Sequence, residues 1–120
     1  MDPDEFERLV AEALDSLPAD IAQAMENVDV LIEDEPAPEA LGGLPPGHTL
    51  FGLYHGVPLT KRGPSSYFGA MPDRISIYRG PLTRSFRDPD RIREEVRITV
   101  VHEIAHHFGI SDERLEELGW

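Results

Sequence analysis

The sequence contains no cysteine among its 120 residues. Disulfide scaffolds, thiolate metal sites and cysteine nucleophiles are therefore excluded. Aromatic residues make up only 8% of the chain, and no apolar run reaches the roughly 18 residues that a membrane helix needs. Residues 1–5 are acidic, whereas a secretory signal peptide starts with a basic and then an apolar segment. These absences predict a soluble cytoplasmic protein that does not insert into a membrane.

Basic residues are also scarce, since 11 Lys and Arg stand against 23 Asp and Glu, for a formal net charge of -12. Residues 1–47 carry 13 acids and a single base, Arg8, so this segment accounts for the whole -12. Residues 48–120 hold 10 acids and 10 bases and are neutral overall. A chain without bulk positive charge is not expected to bind nucleic acid or an anionic membrane surface.

A series of arginines between positions 74 and 97 is the main positive feature of the chain. Because the negative charge lies in the N-terminal part, we expect these arginines to pair with the acidic helices there or with a second copy of the chain, rather than with nucleic acid. A homodimer is thus a hypothesis for the partner, to be supported by dissociation in high salt. The arginines are Arg74, Arg79, Arg84, Arg87, Arg91, Arg93 and Arg97.

The order of the predicted elements indicates one α+β domain spanning residues 1–120. Asp2 and Pro3 start an amphipathic helix, and a second short helix precedes an alternating strand at 28–33. Residues 34–47 contain four Pro and three Gly, which predicts a loop without regular structure. Two more strands are predicted at 49–54 and 75–78, the latter closed by a Gly-Pro turn.

The longest predicted helix starts at Asp88-Pro89 and ends at Gly109. From Ile98 onward its apolar residues cover most of the helix circumference, which predicts a buried helix. Four ionisable groups nevertheless lie inside this apolar stretch, at positions 102, 103, 106 and 107. Their presence requires a chemical explanation.

Residues 102–106 read His-Glu-Ile-Ala-His, the pattern H-E-x-x-H. A helix places residues i and i+4 on one face, so the imidazoles of His102 and His106 can both reach one metal ion. Glu103 projects nearby, where a general base for a water molecule belongs. Catalytic zinc usually takes three protein ligands. Gly109 allows the chain to leave the helix sharply, and Asp112 can then approach as the third ligand.

The segment 102–112 resembles the H-E-x-x-H-x-x-G-x-x-D motif of zinc-dependent metallopeptidases of the zincin superfamily, in its aspartate-ligand variant. Residues 50–59, 75–82 and 111–120 extend the resemblance to the small bacterial zincin-like metallopeptidases, also called mini-zincins. The resemblance implies Zn²⁺ held by His102, His106 and Asp112, with Glu103 as the catalytic base. It also implies a minimal zincin-like α+β fold, with N-terminal helices, a small mixed β-sheet, an active-site helix and a short C-terminal helix.

Two departures from larger zincins stand out. Metzincins place a Met-containing turn below the metal, but no Met follows Asp112, and Met71 lies upstream in a loop. Trp120 is our candidate for the missing support. No sequence for a C-terminal subdomain follows, which predicts a shallow, open groove.

Each assigned residue also has a simpler interpretation. His102 and His106 could be packed histidines, although burying both with Glu103 and no ion costs several kcal/mol. Glu103 could pair with an arginine. Asp112 could cap the last helix, a role that Ser111 fills equally well.

Other histidines and tyrosines receive weaker assignments. His107 is rotated about 100° from His106, so we expect a core or supporting histidine rather than a fourth ligand. His48 and His55 are expected to be ordinary loop histidines near strand ends. An oxyanion donor could be any of the three tyrosines, which are Tyr54, Tyr67 and Tyr78.

The predicted function is zinc-dependent hydrolysis of a peptide or protein substrate, in which Glu103 assists the attack of water. The substrate would lie extended along the strand at 74–78. The alternative is a non-catalytic zincin-fold binding or regulatory protein with a weak or vacant metal site. A metal of purely structural role is a third reading.

Overall fold

A computed structural model describes residues 1–42, 49–56 and 73–119, without the side chains of Asn27 and Asp112. In these ranges the chain forms six helices, a short 3₁₀ turn and a three-stranded sheet, so the predicted α+β class is confirmed. The elements are α1 (Pro3–Asp15), α2 (Ala19–Ala24), the 3₁₀ turn (Met25–Asn27), β1 (Val28–Glu33), α3 (Pro38–Leu41), β2 (Gly52–His55), β3 (Asp73–Tyr78), α4 (Arg79–Ser85), α5 (Pro89–His107) and α6 (Asp112–Leu118).

The sheet is mixed, as predicted, with the strand order β1-β3-β2. β1 runs parallel to β3, from Val28 opposite Asp73 to Glu33 opposite Tyr78. β2 runs antiparallel to β3. Because β3 is paired on both sides, the prediction that a peptide substrate pairs with the strand at 74–78 is wrong. The edges of the described sheet are β1 and β2.

The hydrophobic core joins the sheet to α1 and α5. Ile75 and Ile77 project from the same face of β3, and both are completely buried. The stripe of α1 contributes Phe6, Leu9, Val10 and Ala13. The α5 contribution is Ile92, Val96, Val100, Val101, Ile104 and Ala105.

The two predicted Asp-Pro helix starts are confirmed. The Asp4 backbone N–H donates to Asp2 Oδ1 at 2.8 Å, and the Asp90 N–H donates to Asp88 Oδ1 at 3.0 Å. In each helix a proline follows the capping aspartate, where its missing N–H costs nothing.

Two short helices lie where the sequence predicted none. Pro38–Leu41 forms one helical turn inside the segment predicted to be irregular, because proline is well suited to the first position of a helix. The Gly80-Pro81 pair was predicted to close a strand in a turn, yet β3 continues directly into α4. Pro81 is tolerated there because the first residues of a helix have no backbone acceptor for their N–H groups. Residues 43–47 of the predicted loop lie outside the described ranges.

The prediction of a buried second half of α5 holds except on the side that carries His106. Val100, Val101 and Ile104 are fully buried, whereas His106 is exposed and Phe108 is 50% exposed. The side of α5 that carries His106 therefore faces solvent, and the buried apolar residues anchor the helix.

Three of the predicted arginines pair with acids of the N-terminal part. Arg93 Nη1 lies 3.0 Å from Glu12 Oε2 on α1, and Arg79 Nη2 lies 2.8 Å from Asp34 Oδ1. Arg84 pairs with Glu35. Of these three pairs, only the Arg93 pair involves an acid on an N-terminal helix, as expected, because Asp34 and Glu35 directly follow β1. The homodimer stays a prediction. In the described ranges no helix has both the length and the apolar character needed to cross a bilayer.

β2 and α5 approach each other closely at Gly52. A Cβ atom added there would lie 2.7 Å from Thr99 Cγ2 and 2.9 Å from the Ser76 carbonyl oxygen. Both distances are shorter than normal carbon contacts, and the second neighbour is backbone. Only glycine allows this approach without a shift of the strand or the helix.

We predict that Gly52→Ala lowers the free energy of unfolding by about 1–3 kcal/mol, because the added methyl group overpacks the contact. Urea denaturation measures the loss. Gly42→Ala is a matched control, since its nearest neighbour would be the Glu39 carbonyl oxygen at 3.6 Å. Equal midpoints for the two variants would contradict this account of Gly52.

Candidate metal centre

The two histidines of the H-E-x-x-H pattern lie one turn apart on α5, with ring centroids 6.0 Å apart. Two imidazoles on one tetrahedral zinc, with Zn–N bonds of about 2.1 Å, have ring centres about 5 Å apart. The pair therefore fits a shared ion after a small adjustment of side-chain angles. His102 is half-buried and His106 is exposed. The free-energy cost of burying a histidine without a metal ion therefore applies to His102 and not to His106.

The backbone turn predicted to deliver the third ligand is present. Gly109 has a φ of 80°, and α6 begins at Asp112. Ser111 caps α6, since its Oγ accepts from the Arg114 N–H at 3.2 Å. Asp112 is thus not the capping residue. Its side chain lies outside the described part, and its role as ligand stays a prediction. Among the described side chains, no group of three histidines or acids could hold a metal ion.

Glu103 is half-buried on α5, beside the histidine face. Burial raises the pKa of its carboxyl above the ordinary value, while a hydrogen bond from the Tyr54 backbone N–H and the charge of His106 oppose the rise. The sheet register explains this donor. The Tyr78 N–H donates to the Phe51 carbonyl at 2.9 Å. Along an antiparallel strand, residues that hydrogen-bond to the partner alternate with residues whose N–H and C=O groups point away from it. Tyr54 lies three positions after Phe51, so its N–H points away from β3. Among the described residues, the groups that act on the Glu103 carboxyl are the Tyr54 backbone amide and His106, and none of them is an arginine.

A side-chain cluster that no sequence pattern indicated lies beside Glu103. The Tyr54 hydroxyl donates to Asp73 Oδ2 at 2.7 Å, and His107 Nε2 lies 3.9 Å from the same oxygen. The Tyr54 and His107 rings are stacked, with centroids 4.1 Å apart. His107 is thus a packed side chain, and a supporting role at a metal site stays a prediction. The four-residue spacing of Thr99, Glu103 and His107 marks one face of α5, but no local pattern identifies their partners on two distant strands.

Some of the other histidines, tyrosines and support residues named from the sequence lie inside the described ranges, and some lie outside them. His55 lies on β2 rather than in a loop, and it lines a cavity on the opposite face of the sheet, together with Arg74 and Tyr78. Tyr78 is buried, and burial is the main cause that raises its pKa. No tyrosine is assigned as oxyanion donor. The residues outside the described ranges are His48, Tyr67, Met71 and Trp120.

A model of the zincin-like metallopeptidase family matches residues 25–120, which include all of β1 to α6. The chain belongs to this family. Its fold is similar to that of a conserved hypothetical protein from Thermus thermophilus, with a TM-score of 0.58 and 27% sequence identity. That similarity covers 98% of this chain and 97% of the other. No curated protein matches the sequence.

The raised pKa of Glu103 predicts a pH-dependent stability of the zinc-free protein. A carboxyl whose pKa is higher in the folded state favours folding while it is protonated, and this contribution is lost as the pH rises through the folded pKa. Glu103→Gln should therefore unfold at higher urea concentration than wild type at pH 7, with the difference disappearing towards pH 4. The exposed Glu116 offers the control Glu116→Gln, which should follow wild type throughout. A Glu103→Gln protein that is less stable than wild type at pH 7 would contradict the inference that burial of the ionised Glu103 carboxylate destabilises the fold.

Proposed function

We propose that this zincin-like protein is a zinc-dependent peptidase, with His102, His106 and Asp112 as zinc ligands and Glu103 as general base. The observation that carries the proposal is the half-buried Glu103 carboxyl on α5, beside two imidazoles whose ring centroids are 6.0 Å apart and suit one ion. A site with a purely structural metal needs no such base. Membership of the zincin-like metallopeptidase family supports the same assignment.

The donor set is suited to zinc. Imidazole nitrogens are common zinc ligands, and a carboxylate oxygen completes the three protein ligands typical of a catalytic site. When bound, zinc would act as a Lewis acid on the substrate carbonyl and lower the pKa of a water molecule towards about 7. Gly109 and the Ser111 cap support the assignment of Asp112, because they turn the chain so that a donor can come from outside α5.

Glu103 handles the proton in this proposal. Its partial desolvation moves the pKa of the carboxyl towards neutrality, where a base can both accept and return a proton. The carboxylate takes a proton from the attacking water and passes it to the leaving amine. The Tyr54 N–H restricts the orientation of the carboxylate during both transfers.

We predict that the protein purified without added metal contains close to one zinc per chain, measured by elemental analysis. His102→Ala and His106→Ala should remove the zinc. Glu103→Gln should keep it and lower the rate of peptide hydrolysis by about 10²–10⁴-fold, because it removes the general base. A casein or mixed-peptide digest provides the assay, and Glu116→Gln on the exposed side of α6 is the control.

The outcomes separate the three readings of the site. Full activity of a zinc-loaded Glu103→Gln protein would reject the peptidase mechanism. A folded wild-type protein without zinc would favour the non-catalytic binding module. Loss of stability on chelation, with no loss of any activity, would indicate a structural metal.

A further inference from the structure

One face of α5 lies along β2 and contacts it at three successive turns. Thr99 lies against Gly52, Glu103 accepts from the Tyr54 N–H, and the His107 ring stacks on the Tyr54 ring. These α5 residues are four apart, which gives about 6 Å of rise per step. Two residues of an extended strand span about 6.8 Å. The first step of the strand therefore matches the first step of the helix, and the Tyr54 ring reaches the next helical turn at His107.

The last contact is reinforced by an acid from the neighbouring strand. Asp73 Oδ2 accepts the Tyr54 hydroxyl at 2.7 Å and lies 3.9 Å from His107 Nε2. The Asp73 and His107 side chains are only 13% and 16% exposed, so water competes weakly for these groups. Since Asp73 opens β3, the cluster ties the central strand to β2 and to the end of α5.

β2 needs such a tie because it is short and lies at an edge of the described sheet. Among the described strands, its four residues pair with β3 alone. Short edge elements open more readily than the rest of a fold. The same residue, Tyr54, supplies both the backbone N–H to Glu103 and the side chain to the cluster. A displacement of its side chain therefore displaces the donor that orients Glu103.

We propose that Tyr54, Asp73 and His107 form a clamp that holds the Tyr54 N–H on the Glu103 carboxylate. They are positioning residues, because they act on the reaction through Glu103. The expected effect on catalysis rests on the proposed function, whereas the expected effect on the position of the Tyr54 N–H does not. The clamp fixes the base by fixing the edge strand.

Amide hydrogen exchange in the zinc-free, full-length protein tests the clamp independently of activity. We expect Tyr54→Phe and Asp73→Ala to speed exchange of the residue-54 amide about tenfold or more, and the amide of Ile77 in β3 to keep its protection. Glu103→Ala should also expose the residue-54 amide. Thr83→Val is the matched control, since it removes a half-buried hydroxyl bonded to the Arg79 carbonyl on α4. Asp73→Asn keeps an acceptor oxygen for Tyr54 and should restore protection.

Kinetics provide the second readout. In Tyr54→Phe and Asp73→Ala we expect kcat to fall about tenfold with KM unchanged, and Asp73→Asn to recover most of the loss. Unchanged residue-54 exchange in both clamp variants would overturn the proposal, as would faster exchange with unchanged kcat. Equal loss of protection at residues 54 and 77 would also overturn it, by showing a general loss of stability. If the wild type has no peptidase activity, the proposed function fails, and the exchange data still decide whether the clamp exists.

Discussion

The close contact between α5 and the edge strand β2 is the constraint on which the site depends. Gly52 permits it, because any side chain there would collide with Thr99 and with the β3 backbone. One turn further along the helix, the same approach brings the Tyr54 N–H to Glu103. The opposite face of α5 is held by the fully buried residues Val101 and Ala105. The helix is thus fixed from both sides, and the two histidines project from the remaining face.

Different parts of the chain carry the charge and the chemistry. The net charge of -12 arises in residues 1–47, whose acids include Glu12 and Asp34, paired with arginines of the later segment. Exposed pairs of this kind contribute little to stability, because water and salt screen them. These pairs place the N-terminal acids beside the later arginines. The hydrophobic core supplies most of the stability. The Glu103 environment is set by burial, one backbone amide and His106, independently of that acidity.

Periodicity and capping chemistry predicted the elements that local sequence controls. Asp2-Pro3 and Asp88-Pro89 mark real helix starts, and Gly109 ends α5 with a positive φ, because these signals act through neighbouring backbone groups. The prediction failed where proline had two roles. Pro38 and Pro81 were interpreted as breakers, yet both lie in the first turn of a helix, where proline is accepted. The central position of β3 and the cluster around Asp73 depend on pairing between distant segments, which no local pattern encodes.

The candidate site shows the same division. The spacing of His102, Glu103 and His106 is a local property of a helix, so the sequence was sufficient to group them. The donor to Glu103 comes from residue 54, almost fifty positions earlier, and only the sheet register reveals it. X-ray absorption at the zinc edge of the metal-loaded protein tests the central claim most directly. We expect two imidazole nitrogens at about 2.0–2.1 Å from the zinc, together with oxygen donors. Zinc bound with fewer than two imidazoles would contradict this claim.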